Sequence, residues 1–237
     1  MRIAEIFRSL QGEGRLTGVE SIFVRTSGCN LRCRFCDTRY ASWEPEGHYR
    51  SVEEVVAIVE RTAMERPEVA TLSHVVVTGG EPMLLPELVP LCAKIRRRGM
   101  HVTIETAGTC YQPVQCDLMA VSPKLSNSIP HVDEATPEWI DRHEQRRAAP
   151  DIIRRLAAEY DCQFKFVVGS LADCDEVAVY MASFPEIDRR RVLLMPLGTE
   201  PAELADKAGW LKPYCEEHGL SFCPRRHIEW FGCHRGT

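Results

Sequence analysis

His74-Val75-Val76-Val77-Thr78-Gly79-Gly80-Glu81-Pro82 shows the plan of the whole chain on a small scale. A valine run with no polar alternation suits a strand covered on both faces, and paired glycines followed by proline end it. The pattern recurs. Strand-like runs at residues 21–26, 101–105, 117–121, 163–168 and 191–195 are rich in Val, Ile and Phe, and residues 220–223 form a shorter candidate. Between them lie helical patterns at 51–65, 86–98, 150–159, 171–183 and 200–218. The first opens on a Ser51/Glu54 capping box and the second stops at Gly99. Alternation of this kind predicts α/β architecture with a parallel sheet, either an open doubly wound sheet or a full or partial (β/α) barrel.

The residues immediately after each strand matter most. Thr106-Ala107-Gly108, Ser122-Pro123-Lys124, Gly169 and Met195-Pro196-Leu197-Gly198 stand where Gly79-Gly80-Glu81-Pro82 stands in its own unit. Small and polar residues thus collect at the C-terminal ends of the strands, where parallel α/β folds build their sites. Residues 39–50 read as a loop, and residues 125–149 as a polar insertion or lid. No linker, repeat or low-complexity tract divides the chain, so residues 1–237 are expected to form one domain.

Composition narrows the classes. The chain has 44% apolar and 27% charged residues and a formal charge of -5, which fits a soluble globular protein and disfavours a generic nucleic-acid binder. The longest apolar runs fall far short of the ~20 residues that cross a bilayer, and Glu5 interrupts any signal-like start. The expected location is the cytoplasm, where eleven cysteines suggest cofactor ligands more than disulfides.

Three of them form Cys29-Asn30-Leu31-Arg32-Cys33-Arg34-Phe35-Cys36, directly after the first clear strand. Three thiolates in one tight loop can ligate three irons of a cubane and leave the fourth iron open. Structural zinc needs a fourth ligand, which only Cys110, Cys116 or His48 would supply, and a dithiol redox site would leave Cys29 without a role. The remaining eight cysteines show no dense ligand cluster and read as small buried hydrophobes.

The C-x3-C-x2-C loop resembles the radical S-adenosylmethionine superfamily, in which the open iron chelates S-adenosylmethionine and reductive cleavage yields a 5'-deoxyadenosyl radical. That resemblance implies a partial or modified TIM-like barrel with its site at the C-terminal strand ends. The segment Glu5-Ile6-Phe7-Arg8-Ser9-Leu10-Gln11-Gly12-Glu13-Gly14, with Arg25, Cys36-Asp37-Thr38, Val77 to Pro82 and Glu105-Thr106-Ala107-Gly108, is similar to the 7-carboxy-7-deazaguanine synthase family. The resemblance implies a carbon-nitrogen lyase that contracts 6-carboxy-5,6,7,8-tetrahydropterin to 7-carboxy-7-deazaguanine with loss of ammonia, on the route to queuosine and other deazapurines. It implies a 4Fe-4S cluster on Cys29, Cys33 and Cys36, S-adenosylmethionine, and Mg2+ at Thr38. Cofactor contacts would come from Phe35, Cys36, Asp37, Gly80, Glu81, Thr106, Ser122, Pro123, Lys124, Met195, Pro196, Leu197 and Gly198. Substrate contacts would come from Leu10, Gln11, Gly12, Glu13, Arg25, Thr78 and His227, with Arg25 on the carboxylate and no protein acid or base assigned. It further implies a homodimer and an external electron donor such as a flavodoxin or ferredoxin, with no nucleic-acid or membrane partner.

Taken alone, several of these residues have plainer readings: Gln11 to Gly14 as a tight turn, Arg25 as a solvated strand-face arginine, Thr38 as a turn cap, and Glu81 as a helix-start acid. Ala107 replaces a Ser of many relatives, Met195 to Gly198 departs from the pattern of some, and the tail from His227 to Thr237 resembles longer members. The rival functions are a glycyl-radical activase, a zinc-binding interaction module and a tRNA-acting enzyme.

Overall fold

The computed structural model describes residues 1–65 and 73–236. The chain opens with β1 (Arg2–Leu10) and β2 (Glu20–Thr26), followed by the cysteine loop, α1 (Arg39–Ser42), β3 (His48–Tyr49) and α2 (Val52–Ala63). Next come β4 (His74–Gly79), α3 (Leu88–Arg96), β5 (His101–Thr106), β6 (Leu118–Val121), α4 (Pro137–Arg147) and α5 (Pro150–Glu159). The remainder is β7 (Cys162–Val168), α6 (Leu171–Ala182), β8 (Val192–Pro196), α7 (Pro201–His218), β9 (Ser221–Phe222) and α8 (Arg226–Phe231).

These strands form one sheet in the order β3-β1-β2-β4-β5-β6-β7-β8-β9, parallel from β2 onward and antiparallel at β1 and β3. The two ends of the sheet, β3 and β9, do not pair with each other, so this is a mixed α/β, partial TIM-like barrel. Among the described residues no helix is long and apolar enough to cross a membrane.

Strand periodicity sorts the side chains. One face carries Ile22 and Val24, Val75 and Val77, Val102 and Ile104, Phe164 and Phe166, and Val192 and Leu194, all in the core that the helices cover. Their alternates, Phe23, Arg25, Thr78, Glu105, Lys165, Val167 and Met195, line a cavity at the C-terminal ends of the strands. Polar residues on that inner face are therefore a product of the two-residue period, and the site is a continuation of the sheet.

Each predicted strand and helix is present within a few residues, including the capping box, where Ser51 and Glu54 each accept from the other's backbone N–H. The two segments read as irregular need correction. Residues 39–50 contain α1 and β3, and residues 125–149 contain α4, whose only buried residue is His143. A helix so polar lacks the apolar stripe by which it would be recognised, although Pro137 at its start is a legible signal. β1 and α8 also lie outside the expected set.

The glycine pair after β4 is required by contact with backbone. A Cβ on Gly79 would stand 2.1 Å from the Thr26 carbonyl oxygen, and one on Gly80 2.1 Å from that of Gly28. Instead the Gly80 and Glu81 N–H groups donate to those two carbonyls at 3.2 and 2.9 Å. This contact sets the end of β4 against the start of the cysteine loop. Gly80→Ala is expected to destabilise the iron-free protein by roughly 3 kcal/mol. Gly209→Ala, in α7 with nothing within 4 Å, should instead stabilise by about 0.5–1 kcal/mol; urea unfolding of both variants checks the pair.

Candidate active site

A cavity of about 410 Å³ opens at the C-terminal ends of the strands, within the range of small-molecule sites. The Sγ-bearing residues Cys29, Cys33 and Cys36 lie on its wall, all three half-buried and none in a disulfide. Burial pushes the thiols of Cys29 and Cys33 up to about 12. Thiolate ligation of a metal there must release protons. Ser42 Oγ donates to the Thr38 carbonyl at 3.2 Å and lies 3.1 Å from Cys36 Sγ.

The loop is braced from outside. His143 on α4 has no solvent exposure, and its Nδ1 accepts the Arg32 backbone N–H at 3.0 Å. Its Nε2 meets Ser128 Oγ at 3.0 Å, while that hydroxyl donates to the Leu125 carbonyl at 2.6 Å. Nε2 must therefore carry the proton and Nδ1 the lone pair. Burial and the charge of Arg147 push the imidazole down to about 4, so it stays neutral as both bonds require. The Ser128 carbonyl also accepts the Arg34 N–H, Trp43 Nε1 donates to the Cys33 carbonyl, and Arg146 donates to the Asn30 carbonyl.

Of the residues expected to touch the cofactor, Phe35, Cys36, Asp37, Gly80, Thr106, Ser122, Lys124, Met195 and Leu197 line the cavity. Glu81 does not. Its buried carboxylate accepts Thr106 Oγ1–H at 2.7 Å and the N–H groups of Ala107 and Met83 at 2.8 and 3.0 Å. The acid thus ties the ends of β4 and β5 together, and burial raises its pKa. Pro123, Pro196 and Gly198 are likewise outside the lining; the Gly198 carbonyl instead accepts from Arg225 at 2.6 Å.

All seven expected substrate residues and Thr38 reach the cavity. Arg25 is not a solvated strand-face arginine: its Nε donates to Glu5 Oε1 at 2.7 Å, and Tyr40 donates to the same oxygen at 2.6 Å. Gly12 is held by contact, since a Cβ there would lie 2.5 Å from His227 Cβ, and its carbonyl accepts the Arg226 N–H.

Glu105, Lys165 and Arg225 are among the cavity residues that lie beyond the expected set. Glu105 accepts from Thr78 Oγ1 at 2.8 Å and from Gln11 Nε2 at 3.3 Å. Lys165, buried on β7, pairs with Glu13, and buried Arg225 donates to Glu13 at 3.3 Å and to Asp37 at 2.5 Å. Burial alone would raise the Glu13 pKa, but the charges of Lys165 and Arg225 outweigh it and hold the carboxylate ionised. The alternation Gln163-Phe164-Lys165-Phe166 is the available signal for Lys165, because it puts the lysine on the face opposite the two core phenylalanines. Cys233, from the tail, also reaches the lining, contrary to the expectation that cysteines beyond the motif are buried; Thr237, the last residue of that tail, lies outside the described residues.

The Radical SAM superfamily matches this chain over residues 23–166. A 7-carboxy-7-deazaguanine synthase from Rhodopirellula baltica is 42% identical over 99% of this chain and 88% of its own length. The chain belongs to the 7-carboxy-7-deazaguanine synthase family. A second member, from Halobacterium salinarum, is 41% identical over 95% of this chain and 88% of its own. Crystalline QueE from Escherichia coli superposes with a TM-score of 0.69 at 25% identity, covering 95% of this chain and 94% of its own. Streptococcus suis SuiB bound to S-adenosylmethionine shares the fold at a TM-score of 0.55 and 14% identity, over 84% of this chain and 48% of its own.

Membership of the superfamily brings a 4Fe-4S cluster and S-adenosylmethionine, and the residues present fit them. Three uncrosslinked thiols line one cavity together with Gly79 and Gly80, and the Ser42 hydroxyl stands beside one sulfur. Among the described residues no three His, Cys, Asp or Glu side chains converge as a single metal ion would need.

His143 yields a pH test. Its folded pKa lies below the usual 6.5, so its contribution is full above pH 6.5 and is lost as pH falls toward 4. Between pH 6.5 and pH 5 the iron-free protein should lose about 2 kcal/mol of unfolding free energy through this group. Urea titrations at both pH values should show that slope flattened in His143→Gln.

Proposed function

We infer that this chain is a 7-carboxy-7-deazaguanine synthase, converting 6-carboxy-5,6,7,8-tetrahydropterin to 7-carboxy-7-deazaguanine with loss of ammonia. The carrying observation is a single cavity lined both by the three-cysteine loop and by Leu10 to Glu13, Arg25 and Thr78, in a chain similar over nearly its whole length to synthases of that name.

When bound, the cluster and S-adenosylmethionine supply reductive cleavage and hydrogen abstraction; the chain supplies position. Cys29, Cys33 and Cys36 would hold the cluster. Phe35, Asp37, Gly80, Thr106, Ser122, Lys124, Met195 and Leu197 would seat the methionine and adenosine ends. Arg25 would bind the pterin carboxylate: Glu5 fixes its Nε, and its two terminal nitrogens bond to no other described residue, leaving a fork for a carboxylate. Beside it, Gln11, Thr78 and Glu105 already form one hydrogen-bonded unit, with Thr78 in register with Arg25. Its carboxylate can accept from the N–H edge of a pterin. Glu13, kept ionised by Lys165 and Arg225, offers a second acceptor to that edge. His227, whose pKa is lowered mainly by burial, would meet the substrate as a neutral imidazole. The apolar side formed by Phe23, Val167, Met195 and Leu197 limits water around the reacting carbon.

Thr38 Oγ1, 3.7 Å from Cys36 Sγ on the cavity wall, is the proposed protein oxygen for Mg2+. The chain would act as one domain and a homodimer in the cytoplasm, reduced by a flavodoxin- or ferredoxin-like donor.

Anaerobically reconstituted protein given S-adenosylmethionine, Mg2+, dithionite and the carboxypterin should form 7-carboxy-7-deazaguanine by mass spectrometry. Cys33→Ala should abolish it. Arg25→Gln should raise KM for the carboxypterin by about tenfold or more. Steady 5'-deoxyadenosine release without the deazaguanine would discard the substrate assignment while keeping the radical chemistry.

A further inference from the structure

Beyond α8 the chain turns at Gly232, where φ is +75°, and Gly232, Cys233, His234 and Arg235 run along the cavity lining. Arg235 commits its whole guanidinium to one spot. Its Nη1 donates to Glu46 Oε2 at 2.9 Å, and its Nε and Nη2 donate to Glu5 Oε2 and the Ala4 carbonyl, both at 3.4 Å. Its guanidinium carbon lies 4.3 Å from the centre of the Tyr40 ring. The side chain is nearly half exposed, and ion pairs of that kind add little to stability. Four contacts converging on a point 230 positions away in sequence therefore call for another reason.

The place where they converge supplies it. β1 and β2 pair with Glu5 opposite Arg25 and Phe7 opposite Phe23, so these four side chains share one face of the ribbon. The register slips between Ile3 and Glu5, and a bulge of that kind leaves its extra residue out of the ladder. Arg235 takes the carbonyl of that residue, Ala4. On the shared face the Arg25 guanidinium lies over the Phe7 ring at 5.7 Å, and Phe7 stacks on Phe23 at 5.1 Å. Glu5 is divided between two sets of donors: Oε1 accepts from Arg25 Nε at 2.7 Å and from Tyr40 at 2.6 Å, and Oε2 accepts from Arg235. Without Arg235 the second oxygen has no donor among the described residues. The carboxylate can then turn about its last bond and carry Arg25 Nε with it.

Resting on the reading of the chain as a carboxypterin-binding synthase, we propose that Arg235 is a positioning residue: acting through Glu5 and Tyr40, it fixes the Arg25 guanidinium in the orientation that receives the substrate carboxylate. Arg235 holds Glu5 by its second oxygen and Tyr40 by its ring, and these are the two groups that meet at the oxygen facing Arg25. A fork whose plane is set before the ligand arrives loses less freedom on binding, and a planar carboxylate is sensitive to that plane. Glu46 and the Ala4 carbonyl anchor Arg235 itself. The tail beyond α8 thereby bears on carboxylate recognition without touching the carboxylate.

The test is a double-mutant cycle on reconstituted protein with S-adenosylmethionine, read by dithionite-driven product formation and by calorimetric titration with the carboxypterin. Arg235→Gln should raise both KM and Kd about fivefold, with a fall in kcat of about twofold at most. Arg235→Lys, which keeps the charge on Glu5, should recover part of the loss. In an Arg25→Gln background the Arg235→Gln change should weaken binding by no more than about twofold further, because the fork it orients is already gone. Unaltered KM and Kd in Arg235→Gln would overturn the proposal, as would a full fivefold loss repeated on top of Arg25→Gln, since Arg235 would then act independently of Arg25. Wild type that forms deazaguanine while Arg235→Gln binds normally sinks this inference alone. Wild type that neither binds the carboxypterin nor forms deazaguanine sinks the functional reading, and this inference with it.

Discussion

The sheet of this protein does not meet itself, and the gap between its first and last strands is closed by polar contacts in place of a hydrogen-bonded ladder. Across that seam the Arg226 N–H donates to the Gly12 carbonyl, the Gly14 N–H to Cys223 Sγ, and Arg225 to Glu13. Further out, Arg235 reaches Glu5 and Glu46. A buried carboxylate is tolerable only when paired, so Glu13 needs Lys165 from β7 and Arg225 from beyond β9 at once. Burying that one anion fixes where the N-terminal segment, the middle of the sheet and the C-terminal segment meet. The cavity lies where they meet.

The same seam connects the two halves of the proposed chemistry. Arg225 touches Asp37, next to Cys36 of the three-cysteine loop, and Glu13, next to Gly12. Thr78 and Gln11 share Glu105, linking β4, β5 and the end of β1. Groups that would meet the cofactor and groups that would meet the substrate therefore belong to one hydrogen-bonded structure. Distance between reacting partners is the quantity such a structure controls.

Legibility in the sequence tracked physical type. Strands whose alternates are both apolar, such as β4, announce themselves, and so do glycines that backbone contact makes irreplaceable. The cysteine spacing is equally plain, because three thiols fall within one eight-residue loop. Three kinds of feature escaped. The helix α4 is recognised by what it braces and has no apolar stripe. Glu81 has the residue type of a ligand-binding acid, yet it spends its oxygens on Thr106, Ala107 and Met83, a distinction visible only once those donors are placed. Arg225 acts through partners 188 and 212 residues away in sequence, and no local pattern encodes such a pairing.

The bracing of the cysteine loop by His143, Ser128 and Trp43 bears on how the protein matures. Small zinc domains are disordered until metal arrives, so ligation must supply their folding energy. Here the Arg32 and Arg34 N–H groups and the Cys33 carbonyl of the loop already have protein partners. Cluster insertion is then a reaction of a finished receptor, and little ordering entropy is charged against iron affinity.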